Sequence, residues 1–373
     1  MTTLSPDTAS SFFERLGINQ IVNARGNNTI LGGSTPSPRV RQAMLDSERY
    51  YVDMQQLLER SGERIAELLG CEAAYVTPGA AAALALGTAA CITGKDPDKI
   101  ARLPDTRGLK DTVLIQAGHR YHYERAVTVP GARLVEVDAA QLEGALTDKV
   151  AAVLFPAHLD GAPGTLTLAQ VKERAAARGI PVLVDAAGRV YPLDKFHSFA
   201  RDGGDLTAFG AKYLGALNAS GILCGKRELV EAAVPHGFIG FETVAWGKSF
   251  GRPLKLDRQT IVAVVAALEE WLSTDHAARI ERYEQRLLLI AEHIEGLLGV
   301  ATQIKRGDGP APCVLQLVLD APRDAAGVSR ELLSGTPGIA VGIDSPNTIN
   351  INPVTVREED DELIADRLRA LFT

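Results

Sequence analysis

The amino-acid sequence predicts an α/β protein, with a mostly parallel seven-stranded sheet in a large domain and a small α+β domain after it. Strand-like and helix-like segments alternate from about residue 73 to 225, which is typical of a parallel sheet covered by helices on both faces. After Pro253 the pattern changes to long helical stretches. We therefore predict an N-terminal segment and large domain over 1–255 and a small C-terminal domain over 256–373.

The predicted strands of the large domain are short apolar runs, as expected of buried parallel strands. They lie at 73–76, 112–116, 133–137, 150–155, 181–185, 206–209 and 221–224. Helical patterns cover 79–91, 120–129 and 167–178. Thr167 is placed to cap the last of these helices.

The predicted small domain begins with two long helices separated by a capping signal at residues 273–275. These helices cover 257–272 and 276–298. Further strands are predicted at 313–319, 339–342 and 348–351, and further helices at 324–333 and 357–371.

The composition favours an intracellular enzyme. The chain of 373 residues is 46% hydrophobic and carries a net charge of −7, so nothing in its overall charge attracts nucleic acid. Its longest apolar stretches are too short to span a bilayer, and the N-terminal sequence has no apolar signal core. We therefore expect a cytoplasmic protein without membrane contact.

The four cysteines have no paired spacing that would indicate a zinc site or a redox couple. We expect reduced, buried thiols at Cys71, Cys91, Cys224 and Cys313. No cluster of His, Asp and Glu has ligand spacing, so no metal is expected. His158 and Asp160 are interpreted as the wall of a pocket rather than as metal ligands.

Two residues at predicted strand ends carry the chemistry. Asp185 ends an apolar strand, and Lys212 follows the next strand within Phe209–Gly215. Pyridoxal 5'-phosphate needs an amine to hold its aldehyde as a Schiff base and a carboxylate to keep its ring nitrogen protonated. Either residue alone is more often a cap or a solvated charge, but together they indicate this cofactor.

A third element indicates a phosphate site. Within Tyr75–Leu84 a strand breaks at Pro78 and Gly79 and restarts as an Ala-rich helix. Free N–H groups at such a helix start bind phosphate, and small residues such as Gly79, Ala80 and Ala81 let the anion approach. A helix built only for tight packing would have the same pattern.

These residues resemble the fold-type-I pyridoxal-phosphate enzymes. Within them the chain is similar to the selenocysteine-synthase-like branch, which includes L-seryl-tRNA(Sec) selenium transferases and D-glucosaminate-6-phosphate ammonia-lyases. The resemblance covers most of the chain and rests on the segments 21–26, 31–34, 57–62, 75–83, 102–106, 117–120, 182–187, 209–215 and 220–223.

The resemblance implies a role for each matching residue. Lys212 would form the Schiff base, Asp185 would pair with the pyridinium, and Gly79 to Ala81 would bind the phosphate. Ala187 would pack on one face of the cofactor ring. His119, or as the second candidate Tyr121, would cover the other face, although outside this family such a histidine is more often a surface residue.

The chain departs from the family in two places. A substrate-binding arginine expected in a Pro-Arg-Thr pattern is missing, because the sequence there is Asn352-Pro353-Val354-Thr355. No hydroxyl closely precedes Lys212, so the phosphate site is expected to depend on the amides of 79–81, on Thr77 or on a neighbouring subunit.

Three cations are candidates to bind the substrate carboxylate. Arg25 is the first, because it lies among small residues in Asn23-Ala24-Arg25-Gly26. A salt bridge that fixes the N-terminal segment would explain Arg25 equally well. Arg252 and Lys255 follow, at the predicted junction between the domains.

The residues predict catalysis through a carbanion at the substrate Cα. We rank first the β-elimination of a small amino acid or amino sugar acid, by a lyase that releases ammonia. Racemase or aminotransferase action stays open, as does selenium transfer on seryl-tRNA. A protein that binds pyridoxal phosphate without turnover is the alternative from another class.

The expected partners are a small-molecule amine and further copies of this chain. A tRNA is disfavoured, because the chain is acidic, begins almost directly at the catalytic domain and has no basic arm. The fold generally places its active site at a dimer interface, so we expect at least a homodimer.

Overall fold

The structure is a computed structural model that describes residues 12–243 and 248–373. The strands in this part of the chain are β1 Ile21–Ala24, β2 Ala73–Thr77, β3 Thr112–Gln116, β4 Arg133–Val137, β5 Val150–Pro156, β6 Val182–Asp185, β7 Leu206–Gly210, β8 Gly221–Gly225, β9 Val300–Arg306, β10 Cys313–Leu319, β11 Gly338–Ser345 and β12 Thr348–Ile351. The first residues of the N-terminal sequence, 1–11, for which no signal core was predicted, lie outside the described residues.

The helices lie between and after these strands. They are α1 Phe12–Arg15, α2 Pro38–Glu48, α3 Met54–Leu69, α4 Ala80–Thr93, α5 Pro97–Arg102, α6 Leu142–Ala145, α7 Leu168–Ala176, α8 Leu193–Ser198, α9 Arg227–Ala233, α10 Gly240–Thr243, α11 Arg258–Ser273, α12 His276–His293, α13 Ala325–Leu333 and α14 Asp361–Phe372.

The predicted seven-stranded, mostly parallel sheet is confirmed. It lies in a compact unit over Ser34–Thr274, with the strand order β2-β8-β7-β6-β5-β3-β4. β8 runs antiparallel to both β2 and β7, whereas the remaining neighbours are parallel. Helical crossovers connect parallel strands, so the carboxyl ends of β5, β6 and β7 meet at one edge of the sheet.

Helix α4 lies deep in this unit and packs on the middle strands. Its residues 82 to 90 are all buried. A Cβ added at Gly87 would meet side chains of β6, β7 and β8 at 3.1 to 3.4 Å. The small residues of α4 therefore bring its backbone close to the sheet, and they fix where the helix begins relative to the strand ends.

The second compact unit combines residues up to Gly33 with Asp275–Thr373. Its five-stranded sheet has the order β1-β11-β12-β10-β9, and β1 pairs in parallel with β11. Side chains of α12, α13 and α14 share a core with this sheet. The compact units therefore separate at residues 33/34 and 274/275, while the domain boundary at residues 255 and 256 stays a prediction.

Most predicted elements agree with the structure, and the main exception is the helix expected over 120–129. Only a short 3-10 segment forms there, over Glu124–Thr128. The Glu124 carboxylate accepts a hydrogen bond from the Tyr121 N–H at 3.0 Å and pairs with Arg120, which fixes a turn before the segment. The predicted cap at Thr167 is confirmed, because its side chain forms a capping box with Gln170.

Two further observations on the described residues concern membrane-spanning helices and cysteines. None of their helices is both long and apolar enough to cross a bilayer. The four cysteines are free thiols, of which Cys224 and Cys313 are buried and Cys71 and Cys91 are half-buried.

Candidate active site

The candidate site begins where β6 and β7 end. Asp185 is the last residue of β6, and Lys212 lies in the 3-10 turn Ala211–Leu214 directly after β7. Hydrogen bonding to β7 continues past the end of β6, because the N–H of Gly210, the last residue of β7, donates to the Ala187 carbonyl at 2.9 Å. The segment after Asp185 and the turn that carries Lys212 therefore lie side by side.

The carboxylate of Asp185 is buried and held by two donors. The residue is 6% exposed. The Tyr121 hydroxyl donates to its Oδ2 at 2.6 Å, and the Ala187 N–H donates to its Oδ1 at 3.1 Å. Burial raises the pKa of Asp185 above its ordinary value, although both hydrogen bonds oppose this shift. A cationic ring nitrogen beside the carboxylate would compensate its buried charge.

Two rings line the approach to Asp185. Burial and the charge of Asp185 raise the pKa of the Tyr121 phenol, which therefore keeps its proton and stays a donor. His158 contacts the ring of Tyr121 edge-on, with centroids 5.3 Å apart. Burial lowers the pKa of His158, so this ring is neutral at neutral pH.

Lys212 lies in a partly desolvated position. Its Nζ is 5.3 Å from the centroid of the Tyr213 ring. Burial lowers the pKa of Lys212, which favours the neutral amine that both a covalent bond to an aldehyde and proton removal require. Burial raises the pKa of Tyr213, and the neighbouring Tyr123 and Asp185 add to this shift.

The start of α4 forms a cradle for an anion. Gly79, with φ +97°, is the N-cap residue of the helix and has no side chain that could accept a hydrogen bond. The first N–H groups of the helix therefore have no acceptor within it. The Thr77 hydroxyl donates to the Gly79 carbonyl at 3.0 Å and fixes this turn. Ala80 and Ala81 are partly or fully exposed. This helix end could bind a phosphate through its backbone.

Gly221 connects this cradle to the turn with Lys212. It is paired with Gly210 across β8 and β7, and a Cβ added at Gly221 would lie 2.5 Å from the Gly79 carbonyl carbon and 2.8 Å from the Ala80 nitrogen. Sequence reasoning missed this role. The signal was a glycine at the start of the strand after the lysine turn, where a backbone approaches closely.

His119 lies in a different environment from the one predicted. Its ring has 0% exposure and contacts Phe155 edge-on at 4.8 Å between centroids. Its Nδ1 is 3.3 Å from the Gln116 amide nitrogen. The ring therefore exposes no face, whereas Tyr121 touches Asp185; a role of His119 as the ring cover stays a prediction.

Arg25 is exposed at the end of β1, in the small unit. Its N–H donates to the Asn23 side chain at 3.0 Å, which holds the backbone. No salt bridge of Arg25 occurs among residues 12–243 and 248–373. The alternative of a salt bridge that fixes the N-terminal segment therefore has no support in this part of the chain.

The segment where the family arginine is missing lies beside Arg25. The Asn352 N–H donates to the Ala24 carbonyl at 2.9 Å. The Thr355 hydroxyl donates to the Asn23 carbonyl at 2.7 Å. A cation on β1 and a cation in the 352–355 segment would thus occupy neighbouring positions on the small unit.

Arg252 and Lys255 lie elsewhere on the large unit, along a cavity of about 520 Å³ that also includes Asp53 and Arg258. This cavity is near the start of α11. Near the other end of the helix the Trp271 indole donates to the Val190 carbonyl at 2.9 Å, in the segment after Asp185. The lining of the cavity does not include Asp185 or Lys212, and a role of Arg252 and Lys255 in substrate binding stays a prediction.

A groove of about 800 Å³ lies between α3 and α9. It contains none of the predicted site residues, and its polar rim consists mostly of glutamates. The titratable groups with shifted pKa values, Asp185 and Lys212, lie at the strand ends instead. Within the described ranges no group of three or more His, Cys, Asp or Glu is arranged to hold a metal ion.

The chain is similar to known proteins over nearly its full length. No family model matches the chain. D-glucosaminate-6-phosphate ammonia lyase of Salmonella typhimurium is 28% identical over 381 residues, which cover 97% of this chain and 98% of that protein. A solved structure of D-glucosaminate-6-phosphate ammonia-lyase superposes with a TM-score of 0.83 and 26% identity, and covers 98% of both chains. The predicted resemblance is confirmed.

Other relatives carry different activities. A 5'-C-glycyluridine monooxygenase-decarboxylase from a Streptomyces species is 29% identical over 384 residues, covering 96% of this chain and 92% of that protein. An L-seryl-tRNA(Sec) selenium transferase of Geobacter sulfurreducens is 26% identical over 366 residues, covering 88% of this chain and 72% of that protein.

More distant structures share the fold alone. An aspartate aminotransferase of Thermus thermophilus superposes with a TM-score of 0.54 at 17% identity and covers all of both chains. A serine palmitoyltransferase of S. paucimobilis with a bound pyridoxal-phosphate adduct has a TM-score of 0.56 at 13% identity, and covers 93% of this chain and 86% of that one. The chain has the type-I fold of pyridoxal-phosphate enzymes.

The close approach at Gly221 predicts that Gly221→Ala destabilises the protein. The added Cβ must displace backbone atoms of Gly79 and Ala80, so we expect the free energy of unfolding in urea to fall by about 1–3 kcal/mol. Gly144→Ala is the control, because nothing lies within 4 Å of its added Cβ. Equal effects of the two substitutions would contradict the close approach.

The lowered pKa of Lys212 predicts its reactivity. In protein stripped of bound aldehydes, acetylation of Lys212 should reach half of its maximal rate at a lower pH than acetylation of the exposed Lys149, because a lowered pKa leaves the amine neutral at lower pH. Competitive labelling with quantitative mass spectrometry measures both midpoints. Coinciding midpoints would argue against a perturbed amine.

Proposed function

We propose that this protein is a pyridoxal-phosphate-dependent lyase. It acts on a small amino acid or amino sugar acid, removes the Cα proton, eliminates a β-substituent and releases ammonia. The observation that carries this proposal is that contacts link the segment after Asp185, the turn with Lys212 and the start of α4: Gly210 donates to the Ala187 carbonyl and pairs with Gly221, which lies close to Gly79 and Ala80. The overall similarity to an ammonia-lyase, over nearly the full length of both chains, supports the lyase class.

The residues present fit the cofactor. Pyridoxal phosphate, when bound, supplies an aldehyde for amines and a ring that accepts electrons from Cα. The N–H groups of Ala80 and Ala81 would bind its phosphate, in a cradle that a Cβ at Gly221 would obstruct. The Asp185 carboxylate would accept a hydrogen bond from the ring nitrogen, and Ala187, beside it, would contact one ring face.

Lys212 would hold the aldehyde covalently until a substrate amine displaces it. As a free amine of lowered pKa, Nζ then takes the proton from Cα. The same Nζ can return a proton to the departing β-substituent. Lys212 would then displace the product amine from the aldehyde, and water would hydrolyse the released enamine to a keto acid and ammonia, so the atoms balance without a redox partner.

Arg25 would bind the substrate carboxylate. Its guanidinium has no salt bridge in residues 12–243 and 248–373, and its backbone is anchored next to the segment 352–355, from which the arginine expected in the family is missing. An arginine fork matches two carboxylate oxygens. Arg252 and Lys255 line a cavity that does not include Lys212 or Asp185, and they are weaker candidates within one chain.

Other reactions of the same site stay alternatives. Racemisation and transamination need the same Lys212 and differ in where the proton returns. Selenium transfer on seryl-tRNA is disfavoured by the net charge of −7, because binding to a tRNA backbone depends on cations. Decarboxylation, which is part of the name of the Streptomyces relative, would release carbon dioxide instead of ammonia.

We further propose a cytoplasmic homo-oligomer. Four free thiols suit a reducing compartment. Tyr50 and Tyr51 are 67% and 93% exposed, and such aromatic surface supports contact with a second copy. Light scattering of the purified protein would contradict this proposal if it gave the mass of a single chain.

Lys212→Ala tests the function. Wild-type protein mixed with pyridoxal phosphate and reduced with borohydride should carry the adduct on Lys212, and it should release ammonia and a keto acid from members of a panel of D- and L-amino acids and amino sugar acids. The variant should lose the adduct and roughly 10²–10⁴-fold or more of the rate of ammonia release. Lys149→Ala should retain both.

Each contrary outcome has a distinct meaning. Absence of any adduct in the wild type would overturn the cofactor assignment. An adduct together with carbon dioxide release, or with a racemised or transaminated product, would support the cofactor assignment. It would overturn the assignment as an ammonia-releasing lyase.

Arg25→Gln tests substrate recognition. Because a hydrogen bond between charged groups is lost, KM for the responding substrate should rise about ten- to hundred-fold, with a smaller change in kcat. For the carboxamide of the same substrate, KM should differ little between the wild type and the variant. The exposed Arg178 provides the matched control, Arg178→Gln, and an equal KM in both variants would exclude Arg25 from carboxylate binding.

A further inference from the structure

We propose that Tyr121 is a positioning residue that acts on the cofactor through Asp185. By donating to Oδ2, it keeps the carboxylate ionised and oriented toward the ring nitrogen of pyridoxal phosphate. This inference rests on the proposed function, because it concerns the bound cofactor. It differs from the role of ring cover, in which an aromatic side chain contacts the cofactor directly.

The first support is the geometry of the carboxylate. Oδ2 accepts from the Tyr121 hydroxyl at 2.6 Å, and Oδ1 accepts from the Ala187 N–H at 3.1 Å. Each carboxylate oxygen has two acceptor positions, so each retains one for a further donor. Two donors on different oxygens prevent rotation of the carboxylate. They therefore fix the directions in which the remaining acceptor positions point.

The second support is the electrostatic balance at Asp185. Burial favours its protonated form, which could not pair with a pyridinium. A hydrogen bond from a neutral phenol to a carboxylate is charge-assisted and favours the ionised form. Among the residues that the structure describes, Tyr121 is the side chain that donates to Asp185, since the other donor is a backbone N–H.

The third support is that Tyr121 is itself held in place. Its backbone N–H donates to the Glu124 carboxylate at 3.0 Å. Its ring contacts His158 at 5.3 Å and Tyr123 at 6.3 Å between centroids. The turn before the short 3-10 segment Glu124–Thr128 thus holds Tyr121 with its hydroxyl directed to Asp185.

The test separates action through Asp185 from direct contact with the ring. Dissociation constants are measured by absorbance titration for pyridoxal phosphate and for its carbocyclic analogue, in which a C–H replaces the ring nitrogen. Tyr121→Phe should weaken binding of pyridoxal phosphate by roughly ten-fold or more, since a hydrogen bond to a charged group is lost. Binding of the analogue should change little, because it offers Asp185 no N–H.

A double-mutant cycle gives the second readout. In an Asp185→Asn background, Tyr121→Phe should add little further loss of pyridoxal-phosphate binding, because the coupled partner is gone. Tyr283→Phe, in α12 of the small unit, is the matched control, and this variant should bind both molecules as the wild type does. Thermal unfolding of each variant, without cofactor, checks that the fold is intact.

Three outcomes would overturn the inference. Equal losses with pyridoxal phosphate and with the analogue would mean that Tyr121 contacts the ring directly. Unchanged binding of pyridoxal phosphate by Tyr121→Phe would remove the role while leaving the proposed function in place. Failure of the wild type to bind either molecule would instead overturn the proposed function, and the inference with it.

Discussion

The parallel pairing of β6 with β7 is the constraint on which the candidate site depends. Because the register joins Asp185 to Ala208, and because pairing continues to Gly210 and Ala187, the two segments beyond the strands leave the sheet together. A lysine and a buried acid from different parts of the chain thereby reach the same edge. The adjacent strand β8 runs in the opposite direction. Its first residue, Gly221, therefore lies at this edge of the sheet, close to the start of α4.

Helix α4 connects the packing of the large unit to its chemistry. Its small residues let the backbone approach the middle strands, and the same small residues leave the first N–H groups open at the helix start. The interpretation as a tightly packed helix and the interpretation as a phosphate site therefore describe the same feature. Burial of the helix body fixes the position of its end, and an anion site needs such a fixed end because its donors must converge.

Burial of charged groups at this edge has an energetic cost that a bound ligand can offset. Burial raises the pKa of Asp185 and lowers that of Lys212, so each group is held in an environment that disfavours its charge. The hydroxyl of Tyr121 offsets part of this cost for the acid. Such opposed shifts in one place are typical of active sites rather than of structural ion pairs, which stabilise the charged forms.

Local sequence determined the strands, the long helices, the Lys212 and Asp185 pair and the missing arginine, because each depends on apolar periodicity or on residue type at a short spacing. The tertiary structure decided what depends on distant segments meeting. It joined β1 to the small unit beside 352–355, kept the ring of His119 buried and turned Tyr121 toward Asp185. These outcomes follow from sheet register and from competition for hydrogen bonds between residues far apart in the chain, and no local pattern encodes either of them.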